Sequence, residues 1–394
     1  FTYRDSLSAL LNAIYIFQKL IRFHADDINP LIDVDIERIQ FIFQNGVFAN
    51  KDSLYESALK KVYTTFQNDE AAHAGYLLGQ FLYQQGKETD SGKLIKEAVW
   101  WLKDVVIQHS RSRSAIESKN LLAEINSPEL SLKTAKVNIP DKPFLTFVSF
   151  RNTNQISLRL VKITKQQNEE IYEEATQQKR FQKILSLPVF KSWNQDLPLM
   201  TDYLSHSVEI KTDALPVGEY LLIASKKKDF SLDSNVLAAQ HFYVSNISYI
   251  QKGTNYFVLN RTSGDPLQNA KVEIWESVYN PQQRKSIIKK SRGIFTDKNG
   301  FFSIENTDSL KGSVTLNIST KKDYLLMDNQ QGLYVYNPFE KNFDYDDQKE
   351  YDEDNARLFF FTDRSIYRPG QTVYFKGIGV TKNYRTLKNQ LLKT

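Results

Sequence analysis

Leu358-Phe359-Phe360-Phe361-Thr362-Asp363-Arg364-Ser365-Ile366-Tyr367-Arg368-Pro369-Gly370-Gln371-Thr372-Val373-Tyr374-Phe375-Lys376-Gly377-Ile378 decides how this chain is read. Phe359 to Asp363 read as a strand entering at a sheet edge. Pro369-Gly370 reads as a tight turn, because proline presets φ and glycine accepts the positive φ that follows. Val373, Phe375 and Gly377 then alternate on a second strand, with Val373 and Phe375 expected to face a core. Strand, turn and strand open a β-layered domain, and the residue types build a fold without supplying a reaction centre.

Upstream of this stretch, residues 339–355 are acidic, with Asp344, Asp346, Asp347, Glu350, Asp352, Glu353 and Asp354 among tyrosine and phenylalanine. An EF-hand would need its glycine and terminal glutamate at fixed spacing, so the segment reads as a solvated connection. Before it the period is that of strands. Phe144 to Phe150 is strand-like, Ile156 to Ile163 alternates as a half-buried strand does, and Leu237 to Val244 is another strand. Leu215-Pro216-Val217-Gly218-Glu219-Tyr220 puts a Pro–Gly turn ahead of a strand. Tyr256 to Leu259, a turn at Thr262 to Leu267, and Ala270 to Trp275 begin a further unit. Thr296 to Ile304, with Asn299-Gly300 at its tip, reads as a hairpin. Residues 165–183, charged and rich in glutamine, read as a surface insertion or a short helix, and the polar stretch 127–143 as a connection.

Residues 5–126 have the helical period. Leu7, Leu10, Leu11, Ile14 and Phe17 share a face, a second helix fits 33–46, and a third starts at a cap near Asp52-Ser53. Ala71 to Tyr83 carries small residues that let a neighbouring helix approach, and Gly86 is expected to end that helix. Further helices follow through Leu94 to Leu102 and over 111–125. Leu78-Gly79, Leu82, Ser91, Ile95 and Ala98 resemble one tetratricopeptide unit in spacing, so a helical-hairpin array is expected. Trp100-Trp101 is expected to send one indole into the core and the other to a contact between helices and sheets.

Composition narrows the function. The chain has 394 residues, no cysteine and a net charge of +5 spread over 51 basic and 46 acidic residues. Disulfides, thiolate zinc sites and cysteine nucleophiles are excluded. Scattered lysines argue against a nucleic-acid footprint. No apolar run is long enough for a membrane-spanning helix. The five histidines have no metal-ligand spacing, and no nucleophile elbow, P-loop or dinucleotide fingerprint occurs. The expectation is a non-catalytic chain with no cofactor and no metal site.

The stretch at 358–378 closely resembles the opening of the second macroglobulin domain, MG2, of the α2-macroglobulin family. Thr362, Asp363, Arg364, Ile366, Tyr367, Arg368, Pro369, Gly370 and Gln371 carry the motif, as structural residues. Arg364, Arg368 and the following Phe-Lys-Gly-Ile resemble bacterial members. Phe242 to Ile247 and Thr262 to Val272 resemble a domain end and a domain start in the same family, and the helical third resembles an amino-terminal extension of Bacteroidetes-type homologues. The resemblance implies an α-then-β chain: a helical, tetratricopeptide-like part at 1–130, immunoglobulin-like macroglobulin sandwiches at 140–245 and 246–340, and the start of MG2 at 355–394.

It further implies a protease-trapping inhibitor of the bacterial cell envelope, periplasmic or on the cell surface, lipid-anchored through an amino terminus outside this sequence. Partners would be proteases, engaged by the full-length protein, and other envelope proteins. Both ends of the sequence read as interior to a longer chain. The bait region and the C-x-E-Q thioester of such traps are absent from this stretch, so its implied role is scaffold. The alternative is a docking module of helical repeats and sandwiches that binds an envelope protein or glycan.

Overall fold

The computed structural model describes residues 9–252, 254–280, 282, 285–304, 313–326, 356–362, 372–383 and 388–391. Six helices come first: α1 (Ala9–Phe23), α2 (Ile28–Asn45), α3 (Lys51–Thr65), α4 (Ala72–Glu88), α5 (Gly92–Gln108) and α6 (Arg113–Asn126). α4 and α5 run antiparallel at close range because α4 presents glycines on one face. A Cβ on Gly75 would lie 2.6 Å from Val105 Cγ2, one on Gly79 2.6 Å from Leu102 Cγ, and one on Gly86 2.5 Å from Ile95 Cγ1. Gly86 therefore does not end α4: it is a buried crossing point, and the helix continues to Glu88. Ser91 caps α5 and Ser112 caps α6 through their hydroxyls, whereas α3 starts after Asn50 in the left-handed region and not at Asp52-Ser53. Ile36, Leu59, Leu78, Leu82, Ile95 and Leu102 lie at the centre of this helical core. Trp101 enters it, while Trp100 remains 58% exposed and meets the Trp101 ring edge-on. On a helix, neighbouring side chains diverge by about 100°.

Strands follow. β1 (Glu129–Thr134), β3 (Phe144–Arg151) and β6 (His206–Thr212) form one sheet in the order β1-β3-β6. β2 (Val137–Asn138), β4 (Gln155–Ile163), β5 (Val189–Asp196), β7 (Gly218–Ser225) and β8 (Leu237–Val244) form the other, in the order β2-β8-β7-β4-β5. The stretch 127–143 is thus no simple connection, since it supplies β1 and β2. Val148, Phe150, Leu158, Tyr220, Leu222 and Phe242 fill the core between the two sheets.

β7 is buried at every position, and β4 at all but three. Alternation fails there because both faces are covered. The segment read as an insertion folds into two helices, α7 (Lys165–Tyr172) and α8 (Gln177–Ser186), and Ile171 and Ile184 pack on Val161, Ile163, Leu221 and Ile223. A capping box at Thr164 and Gln167 starts α7.

A second pair of sheets follows the same plan. β9 (Ile247–Lys252), β10 (Asn255–Asn260) and β13 (Phe301–Ser303) run in the order β13-β10-β9. β11 (Lys271–Asn280), β12 (Lys285–Phe295), β14 (Ser313–Ser319) and β15 (Tyr324–Leu326) run in the order β12-β11-β14-β15. Tyr256, Val258, Val272, Ile274, Leu316 and Ile318 lie between them. The turn at Asp297 to Gly300 forms, with φ +70° at Gly300, yet β12 and β13 do not pair as a hairpin. A Cβ on Gly300 would meet the Val258 carbonyl at 2.2 Å, so the turn is pressed against β10 and carries the chain to the other layer.

Residues 1–335 form one compact unit and residues 336–394 another. In the latter, β16 (Ala356–Thr362), β17 (Phe375–Asn383) and β18 (Lys388–Leu391) make an antiparallel sheet in the order β16-β17-β18. Val373 and Phe375 are 45% and 65% exposed, contrary to the core positions expected of them. The described residues of this unit form one layer, and one layer leaves an apolar face in solvent. The acidic segment 339–355 lies outside the described residues.

The glycine face of α4 gives a direct test. Gly79→Val places two methyl groups where Leu102 is fully buried, and is expected to lower the stability of the helical part by about 2 kcal/mol. Denaturant unfolding followed by far-ultraviolet circular dichroism measures this; an unchanged midpoint would remove the close crossing from the account.

Candidate functional site

Thr362 is the last residue of β16, opposite Phe375 on β17. Asp363, Arg364, Ile366, Tyr367, Arg368, Pro369, Gly370 and Gln371 lie outside the described residues. Among the described residues no group of three or more His, Asp or Glu could hold a metal ion. Buried polar and charged groups gather at two joints within residues 1–335.

The first joint fixes the helices to the first pair of sheets. The turn between β3 and β4 places Asn152 at φ +52°, and its side-chain nitrogen donates to the carbonyls of Ile125 and Ser127 at 2.7 and 3.1 Å. Those carbonyls close helix α6, whose last turn lacks internal donors. The loop ahead of β6 docks on the start of α5. Gly92 leaves room for Asp202, whose Cβ would stand 2.5 Å from a Cβ added there, and Tyr203 and Leu204 pack on the helical core. Asp202 is held by His206 at 2.8 Å and by the Leu204 amide at 3.2 Å.

The second joint lies on the outer face of the five-stranded sheet. Phe242 and Val244 of β8 enter the first core, whereas Tyr243 between them enters the core of the second pair of sheets. Glu219 of β7 stands opposite Tyr243 and diagonal to His241. It is fully buried, accepts from His241 Nε2 at Oε1 over 2.8 Å, and has no hydrogen-bond partner at Oε2. Beyond it, Asp323 accepts the amide of Asn246 at 2.7 Å, and Arg261 donates to the Ile247 carbonyl at 2.8 Å. Burial raises the Asp323 carboxyl above its usual range, against the pull of the Asn246 amide and of Arg261. Burial likewise lowers Arg261. Lys165 of α7 sits 4.2 Å over the Trp275 ring of β11 and adds a cation–π contact across the joint.

Sequence reasoning missed most of these residues. The Pro-x-Gly-x-Tyr turn was visible, and its purpose is now plain: Tyr220 donates to the Pro216 carbonyl at 2.9 Å and pins the entry to β7. A tyrosine hydroxyl bonded to backbone a few residues upstream is a recurrent corner in β-sandwich proteins. Burial pushes the phenol up to about 12. Glu219, a carboxylate inside Gly-Glu-Tyr-Leu-Leu-Ile, was the available signal for the second joint.

Two substitutions probe the joints. Asn152→Gly keeps the positive φ and removes both hydrogen bonds, so it is expected to cost about 1–2 kcal/mol and to separate helical from sheet unfolding in calorimetry. A single unshifted transition would show that the cap does not couple them. For Asp323 the sign follows from its raised pKa: the folded state favours the protonated acid. Its contribution is fully present below the ordinary value of 3.8 and is lost as pH rises through the raised folded value. Asp323→Asn should therefore gain stability over the parent as pH rises from 3.5 to 7, measured by urea unfolding. A pH-independent difference would mean that the carboxyl is not perturbed.

Comparison with known proteins adds the following. Residues 357–394 match the MG2 domain family. Among curated proteins none matches the sequence. A structure of Escherichia coli α2-macroglobulin in its native conformation is 16% identical over 65% of this chain and 16% of that one, with a TM-score of 0.28. The chain thus spans about 16% of that protein's length. Red sea bream transglutaminase is 13% identical over 56% of this chain and 33% of that one, at a TM-score of 0.24. A CARDB domain from Pyrococcus furiosus is 12% identical over 30% of this chain and 91% of that one, at 0.18. Likeness at these scores says nothing of activity. At its carboxy-terminal end, residues 357–394, the chain carries an MG2 domain sequence.

Proposed function

We propose that this chain is a non-catalytic scaffold within a protease-trapping inhibitor of the bacterial cell envelope. The observation that carries the proposal is the second joint, where one strand serves two cores and Lys165 of α7 lies over Trp275 of β11. A trap needs distant elements held in register until a cut releases them, and shared strands supply such rigidity. The two pairs of sheets are read as macroglobulin domains of immunoglobulin-like form, bounded near 140–245 and 246–340, and the helices at 1–130 as a tetratricopeptide-like array. Proteases are the partners of the full-length protein, located in the periplasm or at the cell surface.

A docking module is the second reading, and one feature favours it. Phe43, Tyr55, Leu77, Phe81 and Tyr83 line a hollow of about 380 Å³ on the helices, with Lys87 and Glu124 at its rim. Phe43 and Tyr55 stack there at 4.0 Å. Such a surface suits a protein or glycan partner.

The two readings separate in a protection assay. The full-length protein, mixed with trypsin, should leave a small chromogenic substrate hydrolysed while a large protein inhibitor loses access. The 394-residue chain alone should give no protection. Protection by the short chain, or none by the full-length protein, would defeat the scaffold reading.

A further inference from the structure

Beside the second joint, β1, the open side of β8 and the helices α7 and α8 enclose a cleft of about 360 Å³. Its size falls within the range of small-molecule sites. The walls are mainly apolar, with Leu132, Ile171, Phe181, Ile184 and Leu237 among them. The charged or chargeable groups on the lining are Arg180 and His241, with Tyr172 beside them, and no carboxylate lines the cleft. The glutamates of the neighbouring helix are engaged elsewhere: Glu169 with Lys165, Glu170 and Glu174 with Lys183.

Arg180 spends its Nε on the Glu174 carbonyl at 2.8 Å and one Nη on the Tyr172 carbonyl at 3.5 Å. Among the described residues no carboxylate pairs with it. His241 is about nine-tenths buried at its side chain and is held through Nε2 by the fully buried Glu219. The Asn168 side-chain oxygen, also on the lining, is buried without a donor. An oriented imidazole and an arginine without an acidic partner share one apolar hollow.

We propose that this cleft binds a small amphipathic anion, with an apolar body of about eight carbons in the hollow, along His241, and a carboxylate at Arg180. The apolar walls supply affinity through area removed from water, and the Arg180 guanidinium fixes the orientation and selects for negative charge. Neither the family's trapping role nor the scaffold reading calls for such a site.

Octanoate titrated into the 394-residue chain tests it by calorimetry and by NMR of chain carrying ¹³C-labelled histidine. The chain has five histidines. Octanoate should bind at one site and move the His241 resonance alone, and 1-octanol should bind at least tenfold more weakly. Arg180→Gln should weaken octanoate roughly tenfold, as loss of one charged hydrogen bond does, with thermal unfolding unchanged. Should that variant unfold early, Arg180→Lys, which keeps the charge, should retain binding. No heat and no His241 shift at millimolar octanoate would overturn the proposal. So would equal binding of octanol, or octanoate binding that ignores Arg180→Gln, since either would mean apolar adsorption only.

Discussion

The pleat of one strand governs the architecture of residues 1–335. Successive side chains of a β-strand point to opposite faces. In β8 this sends Phe242 and Val244 into one core and Tyr243 into the next. Neither pair of sheets can then rotate against the other without withdrawing a residue from a filled core, and packed interiors resist such voids. Val137 of β2 reinforces this, since it packs on the second core while its strand pairs with Tyr243 and Val244. A one-residue slip of β8 would exchange its two faces and break both cores together.

The outer face of the five-stranded sheet is thereby divided. α7 and α8 cover the half that carries Val161, Ile163, Leu221 and Ile223, and the second pair of sheets covers the half that carries Tyr243. Glu219 and His241 stand where the two coverings meet. A buried carboxylate is costly unless paired, and pairing it to a histidine still leaves desolvation to offset. An apolar pair would pack there at lower cost but would not distinguish one covering from the other. The geometry is consistent with the pair acting to fix register, since the ring reaches the carboxylate only along the β7–β8 diagonal.

Legibility in the sequence followed the same physics. β3, β4, β7, β8, β10 and β11 were visible because each carries a run of branched or aromatic residues next to a turn. The order of helices before sheets was visible from the change of period near residue 127. β1, β5 and β6 were not visible, since edge strands such as Val189–Asp196 have mostly exposed side chains and need no apolar face. The crossing at Gly86 was mistaken for a helix end because a glycine serves both purposes, and only the position of Ile95 decides between them. Asn152 could not be read as a cap, because the carbonyls it serves lie about 25 residues earlier in the chain.

The joints gather charged and polar residues from distant segments, which is why no local motif announced them. Asp323 precedes β15 and meets the amide of Asn246, 77 positions away. Arg261, from the turn after β10, closes on the carbonyl of Ile247. The Asp323 contact spans a long stretch of chain and needs both sheets of the second pair in place, whereas the Arg261 contact closes within the β9–β10 hairpin. Contacts of this kind add little to the driving force for folding. The Asp323 contact acts on the relative placement of already packed layers.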